Sequence, residues 1–325
     1  MHEPPTTESA FAALIERHRR ELQLHCYRML GSYEESEDMV QETMLRAWRN
    51  RGTFEGRATL RTWLYKIATN ACLDLLRRRP RQAARHEPTA AGGAGPDEIP
   101  WLQPYPDSLL EGIPSRDAEP DAVVVARETV ELAFLVAIQL LPPAQRATLI
   151  LRDVLGWSAN ETAELLETSV ASANSSLQRA RATLQRQLPA QRAEWGPRRE
   201  PTEEERLLLQ RYMDAHERAD SDAVIEMLHE QVRFTMPPQP TLYDGRAAVA
   251  DFFRDAFGPG IPGDFRLVPV AANGQLGAAN YVRAPGDDVY RAISLDVLRF
   301  EDGRLAEIVT FEPTMFRAFG LPDTL

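Results

Sequence analysis

Apolar residues recur at three- and four-residue spacing through the first part of the chain and at two-residue spacing over much of its last third. That change of period predicts helical units first and a mixed helix-and-strand unit afterwards. From Ser36 to Trp48, Met39, Val40, Met44, Leu45, Ala47 and Trp48 form one stripe and leave Glu37, Asp38, Gln41, Glu42 and Arg46 mostly outside it. From Leu60 to Arg79, Trp63, Leu64, Ile67, Ala71, Leu75 and Leu76 face a core. Arg61, Lys66, Asn70, Asp74, Arg77 and Arg78 occupy the remaining surface of that helix. A further stripe runs through Val130, Phe134, Ile138 and Leu141. Pro142-Pro143 then stops one helix and starts the next, Pro143 suiting a first turn. Leu149, Ile150, Leu151, Val154 and Trp157 complete a compact helical core.

The pattern next becomes a helix-turn-helix. Ser158 precedes Glu161 by three residues, a capping box that starts a helix with Ala163, Leu165 and Leu166 on its apolar face. Ser169 caps a second helix reaching Leu188, with Val170, Ala173, Leu177, Ala180 and Leu184 at helical spacing. Ser172, Asn174, Ser175, Gln178, Arg179 and Arg181 are polar, and most point away from that stripe. Polar and Arg side chains on one face of a second helix are what base edges and phosphates need. A surface helical hairpin reads the same way in isolation. Glu167 stands where a turn glycine is usual, and Ala173 where a larger branched residue is usual.

Two tracts in order narrow the choice. Tyr27-Arg28-Met29-Leu30-Gly31-Ser32, Glu37 to Trp48 and Leu60 to Arg79 together resemble region 2 of bacterial sigma factors of the extracytoplasmic-function class, and the helix-turn-helix lies where their region 4 lies. The resemblance implies that Asp38, Gln41 and Glu42 dock on core RNA polymerase through charge-assisted contacts to its largest subunits. It implies that Arg61, Lys66, Asn70, Asp74, Arg77 and Arg78 serve the −10 promoter element, with a flipped base held by the loop from Gly52 to Thr59. Aromatic and basic residues interleaved on one helix suit such unstacked DNA, although Trp63 fits core packing better than base stacking. Ser172, Asn174, Ser175, Gln178 and Arg179 would face the −35 element. That set is short of cations, so weak DNA affinity is expected of the free protein.

After Glu205 the order is helices first, then a meander. Leu207 to Ala219 and Asp222 to His229 read as helices, Val232 to Met236 as a strand, and the tract after Gly245-Arg246 as a helix through Val249, Phe252, Phe253 and Phe257. Strand-like runs cover Phe265 to Ala271, Ala278 to Arg283, Tyr290 to Phe300 and Leu305 to Phe311, with Gly303 at a hairpin. With Tyr243-Asp244-Gly245-Arg246-Ala247-Ala248-Val249, this order resembles the cone-shaped α+β barrel of the SnoaL and ketosteroid-isomerase group. Such barrels enclose an apolar pocket, here with Tyr212, His216, Phe234 and Met236 as candidate lining, together with Phe253, which suits the core better. An isomerase of the group needs a carboxylate base, but the expected strand position reads Thr235-Met236-Pro237. An Asp-Arg-Asp set for epoxide opening would need residues such as Arg291 and Asp296, which sequence does not place together. No catalytic residue is assigned.

The expected architecture is therefore multidomain. Residues 1–85 form the region 2 helical domain, 86–121 an acidic Pro/Gly-rich linker and 122–190 the region 4 helix-turn-helix domain. A second linker covers 191–204 and the α+β barrel covers 205–325. The net charge of −11 over 325 residues opposes DNA binding until it is divided by segment. Residues 1–85 carry roughly +4, 86–126 roughly −7, 127–192 roughly +1 and the remainder roughly −9. The first linker holds Trp101 and Tyr105, unusual in a spacer. Either it threads the polymerase RNA-exit path, as the resemblance suggests, or the two rings pin it onto its own chain.

Cys26 and Cys72 sit on apolar helix faces and read as buried thiols rather than a disulfide. Six scattered His and no zinc-ligand spacing predict no metal and no cofactor. No run long enough to span a membrane and no signal peptide are present, so a cytoplasmic location is expected. The expected partners are core RNA polymerase, promoter DNA and a small apolar ligand of the last domain. Two function classes stay open: a promoter-recognition subunit modulated by its last domain, or an isomerase or hydrolase fused to a DNA-binding module. A stand-alone helix-turn-helix repressor leaves the region 2 tract unexplained.

Overall fold

The computed structural model describes residues 8–54, 59–78, 99–110, 131–187, 200–259 and 263–325. The chain divides into two compact units. One comprises Met1–Ala94 with Leu110–Gly196, and the other Gly95–Leu109 with Pro197–Leu325.

The first unit is helical: α1 (Glu8–Glu16), α2 (Arg19–Leu30), α3 (Tyr33–Arg49), α4 (Leu60–Arg78), α5 (Leu132–Gln139), α6 (Pro143–Leu149), α7 (Ala159–Leu165) and α8 (Val170–Gln187). Helix α2 is buried over almost its whole length, which its mixed sequence does not announce. Gly31 ends it in the left-handed conformation, φ 73°, and donates its N–H to the Tyr27 carbonyl. Ser32 caps α3 by accepting from the Glu35 N–H. Leu64, Tyr65, Ala68 and Cys72 place the buried stripe of α4. Trp63, Ile67, Leu75 and Leu76, expected in that core, are only half-buried because Tyr65, Ala68 and Thr69 take the central positions.

Helices α2 and α4 also pack on the helices after residue 131. Arg146, 3% exposed, donates to the carbonyls of Met29 (2.5 Å), Gln139 (2.6 Å) and Leu141 (3.2 Å), and to Gln139 Oε1 (2.5 Å). Gln139 Nε2 donates to the Arg28 carbonyl at 3.1 Å. These carbonyls close the C-terminal ends of α2 and α5, where helices lack internal donors and favour a cation. The Tyr65 and Trp157 rings meet at 5.6 Å, and Lys66 Nζ lies 3.1 Å from Glu167. A π-helical turn, Ile150–Val154, follows α6 where sequence showed only a core segment. Cys26 and Cys72 are buried free thiols. Val130 and Arg79 lie outside the described residues.

The second unit contains α9 (Glu203–Glu217), α10 (Ser221–Met227), β1 (Leu228–Met236), β2 (Gln239–Asp244), α11 (Arg246–Ala256), β3 (Asp264–Ala272), β4 (Gln275–Arg283), β5 (Arg291–Glu301) and β6 (Arg304–Phe311). The strands form one sheet in the order β2-β1-β6-β5-β4-β3. Only β1 and β6 pair in parallel among these neighbours, since the chain returns to β1 last. Helices α9 and α11 lay Leu209, Tyr212, Met213, Val249 and Phe253 against Phe234, Leu267, Leu298 and Ile308. Strand β2 was not expected, because Pro237-Pro238 reads as a stop. It is a short, mostly exposed edge strand, where such interruptions are tolerated.

Asn273 (φ 57°) and Gly274 (φ 68°) form the turn between β3 and β4. That hairpin holds the segment between the two helical tracts. Tyr105 N–H donates to Asn273 Oδ1 (2.8 Å), and Asn273 N–H returns a bond to the Tyr105 carbonyl (2.9 Å). Gly274 N–H donates to Asp107 Oδ1 (2.8 Å), and Pro106 bridges to Ala272. Ile99, Leu102 and Tyr105 are buried. These residues are therefore pinned to the protein itself, the second of the two arrangements considered. The rest of that linker lies outside the described residues.

Candidate functional site

The helix-turn-helix is built by its caps. Ser158 Oγ accepts from the Glu161 N–H (3.2 Å), and the Glu161 carboxylate accepts from the Ser158 N–H (2.7 Å). Ser169 Oγ accepts from the Ser172 N–H at 3.1 Å. Between the helices Glu167 takes φ 52°, the conformation that favours glycine. Ala173, Leu177, Ala180 and Leu184 are buried. Ser172, Asn174, Ser175, Gln178 and Arg179 are all exposed, so α8 brings the five together on its outer face. Val170 departs from the expected stripe: it is 38% exposed, at the first position of the helix and outside the packed core. Arg181 forms a two-point pair with Asp153 at 2.9 and 2.7 Å.

On α3, Asp38 and Gln41 are exposed and Glu42 is half-buried, paired with Arg46 at 2.6 Å. Leu45, expected inside, is 42% exposed. It lies four residues beyond Gln41 and so on the same face. Its position gives the acidic face an apolar contact that the sequence reading assigned to the core.

Helix α4 divides its polar residues. Arg61 turns inward: its Nε donates to the buried Glu21 carboxylate at 2.7 Å, and its guanidinium lies 4.8 Å from the Tyr65 ring centre. Burial alone would raise the Glu21 carboxyl, but His18 and Arg61 outweigh it and hold it below its ordinary value. Lys66 is engaged with Glu167. Asp74 lies 2.8 Å from Arg77 and 3.5 Å from Arg46. Asn70 is half-buried, and Arg77 and Arg78 are exposed at the helix end. Part of the Gly52 to Thr59 loop, residues 55–58, lies outside the described residues. Trp63 packs at 5.4 Å against Phe54.

The second unit holds a cavity of about 420 Å³. Tyr212, His216, Phe234 and Met236 all line it, with Phe253 beside them. Its polar end was not legible in the sequence. Asp296, 3% exposed, accepts from the Tyr212 hydroxyl (2.9 Å), Asn280 Nδ2 (2.8 Å) and the Thr310 hydroxyl (2.6 Å). Gly277 lets β4 approach β5 there: a Cβ would lie 2.3 Å from the Asp296 carbonyl oxygen. Burial, reinforced by Asp296, pushes the Tyr212 hydroxyl well up. Burial lowers His216 against the opposing pull of Asp296, and its Nδ1 donates to the Tyr212 carbonyl at 3.0 Å. Thr235 is buried and supplies no carboxylate. Arg291 pairs with Asp287 at 3.4 Å and does not line the cavity, so among the described residues no Asp-Arg-Asp set forms there.

Among the described residues no helix is long and apolar enough to cross a membrane, and no acidic, His and Cys cluster could hold a metal.

The geometry agrees with what the chain resembles. Residues 14–82 match the Sigma-70 region 2 model, 131–184 the Sigma-70 region 4 model and 209–308 the SnoaL-like domain model. The extracytoplasmic-function (ECF) RNA polymerase sigma factor SigG of Mycobacterium tuberculosis is 41% identical, covering 97% of this chain and 85% of that protein. The sigma factor SigJ of the same organism is 32% identical over 92% of this chain and 89% of its own. The SigJ crystal structure superposes with a TM-score of 0.58 at 27% identity, covering 97% of this chain and all of the other. The chain belongs to the ECF family of RNA polymerase sigma factors. Within that family it is an alternative sigma factor whose helical regions 2 and 4 are followed by a SnoaL-like α+β domain.

Proposed function

We propose that the chain binds core RNA polymerase through Asp38, Gln41 and Glu42, with Leu45 as their apolar neighbour. Region 4 reads the −35 element through Ser172, Asn174, Ser175, Gln178 and Arg179. Helix α4 serves the −10 element through Lys66, Asn70, Asp74, Arg77 and Arg78, while Arg61 holds the helix through Glu21. The C-terminal domain modulates this activity by binding a small molecule and does not turn it over. The site of action is the cytoplasm, where polymerase and chromosome meet. The observation that carries the reading is the two-sided α8, with its small apolar residues buried and the five polar ones exposed together.

The contact between Lys66 and Glu167 adds a condition. Elements centred at −10 and −35 lie about 25 base pairs apart, about 85 Å at 3.4 Å per step. One duplex cannot meet both surfaces while these residues touch, so regions 2 and 4 separate on the promoter.

Run-off transcription with bacterial core polymerase tests the proposal, comparing the full chain with a truncation after Gln191. Protein-dependent transcripts, lost in Asp38→Lys and redirected in Gln178→Ala, are expected. Absence of initiation by either folded protein over a broad promoter library would refute it. Turnover of enones or epoxides would instead favour an enzyme fused to a DNA-binding module.

A further inference from the structure

The cavity of the SnoaL-like domain is unevenly equipped. Its walls are aromatic, with Phe234, Phe252, Phe253, Phe257 and Phe265 around one space. Among the described residues its lining includes no Lys or Arg, and its carboxylates there are Asp296 and Glu312. Asp296 is buried, and among the described residues no basic side chain lies within ion-pair distance of it. Three donors hold it: one bond reaches Oδ1 and two reach Oδ2. A carboxylate offers roughly four acceptor sites, so capacity for another donor remains.

Asn280 supplies a second, independent sign. It lines the same cavity and is only 5% exposed. Its Nδ2 donates to Asp296 and to Ser294 Oγ (2.9 Å), which fixes the amide because the carboxylate accepts. The opposite end, Asn280 Oδ1, is buried without a hydrogen-bond partner. An unpaired buried acceptor is costly, and at a cavity wall a bound donor would satisfy it. Here an unused acceptor and a carboxylate that is hydrogen-bonded but has no ion-pair partner among the described residues belong to neighbouring residues of one aromatic chamber, with His216 in the same lining.

We propose that this cavity binds a small organic ammonium ion, a protonated amine on an apolar body, with its N–H groups on Asn280 Oδ1 and Asp296 and its apolar part among the Phe rings. A cation offsets the cost of the lone buried carboxylate. It also gains from the negative faces of aromatic rings, which a neutral ligand does not. A neutral alcohol offers one donor and no charge. The volume of about 420 Å³ lies within the ~300–1,000 Å³ range of small-molecule sites.

The site also adjoins the pinned linker. Pro237, Pro238, Phe311 and Glu312 line the cavity and also line a smaller one of about 160 Å³ beside Pro100 to Gln103. A bound amine thus presses on the same wall that faces the linker. This part rests on the modulatory role proposed above.

The test is calorimetric titration of the full chain at neutral pH without polymerase. The probes are benzylamine, 2-phenylethylamine and cyclohexylmethylamine, each against the alcohol of the same skeleton. At least one amine is expected to bind about tenfold or more tightly than its alcohol. Asp296→Asn should remove that preference. Because Asp296 is buried and bonded to three other side chains, Ala256→Trp, at the last turn of α11 on the cavity wall, provides a second check by filling the space. It should abolish binding without changing the circular dichroism spectrum. Equal binding of amines and alcohols would overturn the proposal, as would no amine binding up to about 5 mM. Binding that survives Ala256→Trp would overturn it too. The assay contains no polymerase, so failure here leaves promoter reading intact, and failure to initiate transcription leaves this result intact.

Discussion

Replacing Arg146 by Met should loosen the join between regions 2 and 4 while leaving the SnoaL-like unit alone. Methionine fills similar space but donates nothing. Four hydrogen bonds disappear, to the carbonyls of Met29, Gln139 and Leu141 and to Gln139 Oε1. Hydrogen bonds from a charged donor contribute about 1.5–3 kcal/mol each, so the gross loss is about 6–12 kcal/mol. No longer burying a guanidinium returns several kcal/mol. The expected net destabilisation is about 3–5 kcal/mol, the difference between these terms. Hydrogen exchange read by mass spectrometry resolves where the loss falls. Peptides from the end of α2, from α5 and from α6 should lose protection by that amount, and β4 to β6 should not. Arg146→Lys should restore only part of it, because a point ammonium cannot serve acceptors spread across a planar fork. A loss below about 1 kcal/mol, or one shared equally by both units, would refute the reasoning that the guanidinium joins these helix ends.

Three further outcomes are expected. Burial, with Arg28 and Arg61 nearby, lowers His25 from 6.5 to about 3. The native ring is therefore neutral while the unfolded chain takes up a proton below about 6.5. Its contribution is complete above that pH and is lost on acidification towards 3, costing about 2 kcal/mol at pH 5. Urea unfolding of unit 1 against pH should show this slope, and His25→Phe should flatten it. Glu167→Gly relieves a left-handed backbone at the cost of an exposed ion pair, and should raise the stability of region 4 by about 0.5–1 kcal/mol in thermal unfolding. Asn273→Gly keeps the turn but removes the acceptor for Tyr105 N–H, costing about 1–2 kcal/mol. Limited proteolysis should then cut near Tyr105 faster, and an unchanged rate would count against the pinning.

Local signals carried much of the fold. Ser158, Glu161 and Ser169 mark the helix-turn-helix because caps act over three residues, and Gly303 marks a hairpin because turn chemistry is local. The five outward residues of α8 followed from spacing on a single helix, and the candidate pocket residues from the resemblance to the SnoaL-like barrel. What escaped depends on register between distant strands. Asn280 meets Asp296 only because β4 pairs with β5 and slips beside Asn280, and no periodicity in either strand encodes that slip. Arg61 was assigned to the DNA surface because its helix position is amphipathic. Its partner Glu21 lies forty residues away in sequence. The apolar stripe likewise placed Leu45 inside, since a period cannot tell a core face from an exposed apolar position.

The pinned linker gives this sigma factor an unusual thread. Its chain passes between the units at three places: after Ala94, after Leu109 and after Gly196. A single cut between α8 and α9 would therefore not free the last domain. One fragment would keep the strip from Ile99 to Leu109, and the other would keep the hairpin at Asn273-Gly274 that grips it. The pieces would behave as a split protein, held by the buried side chains of the strip and its hydrogen bonds to that hairpin. A clean truncation, by contrast, strips Ile99, Leu102 and Tyr105 of the surface that buries them. Activity differences after such a deletion would then mix loss of the domain with release of the strip, whereas Asn273→Gly loosens the strip while the domain stays in place.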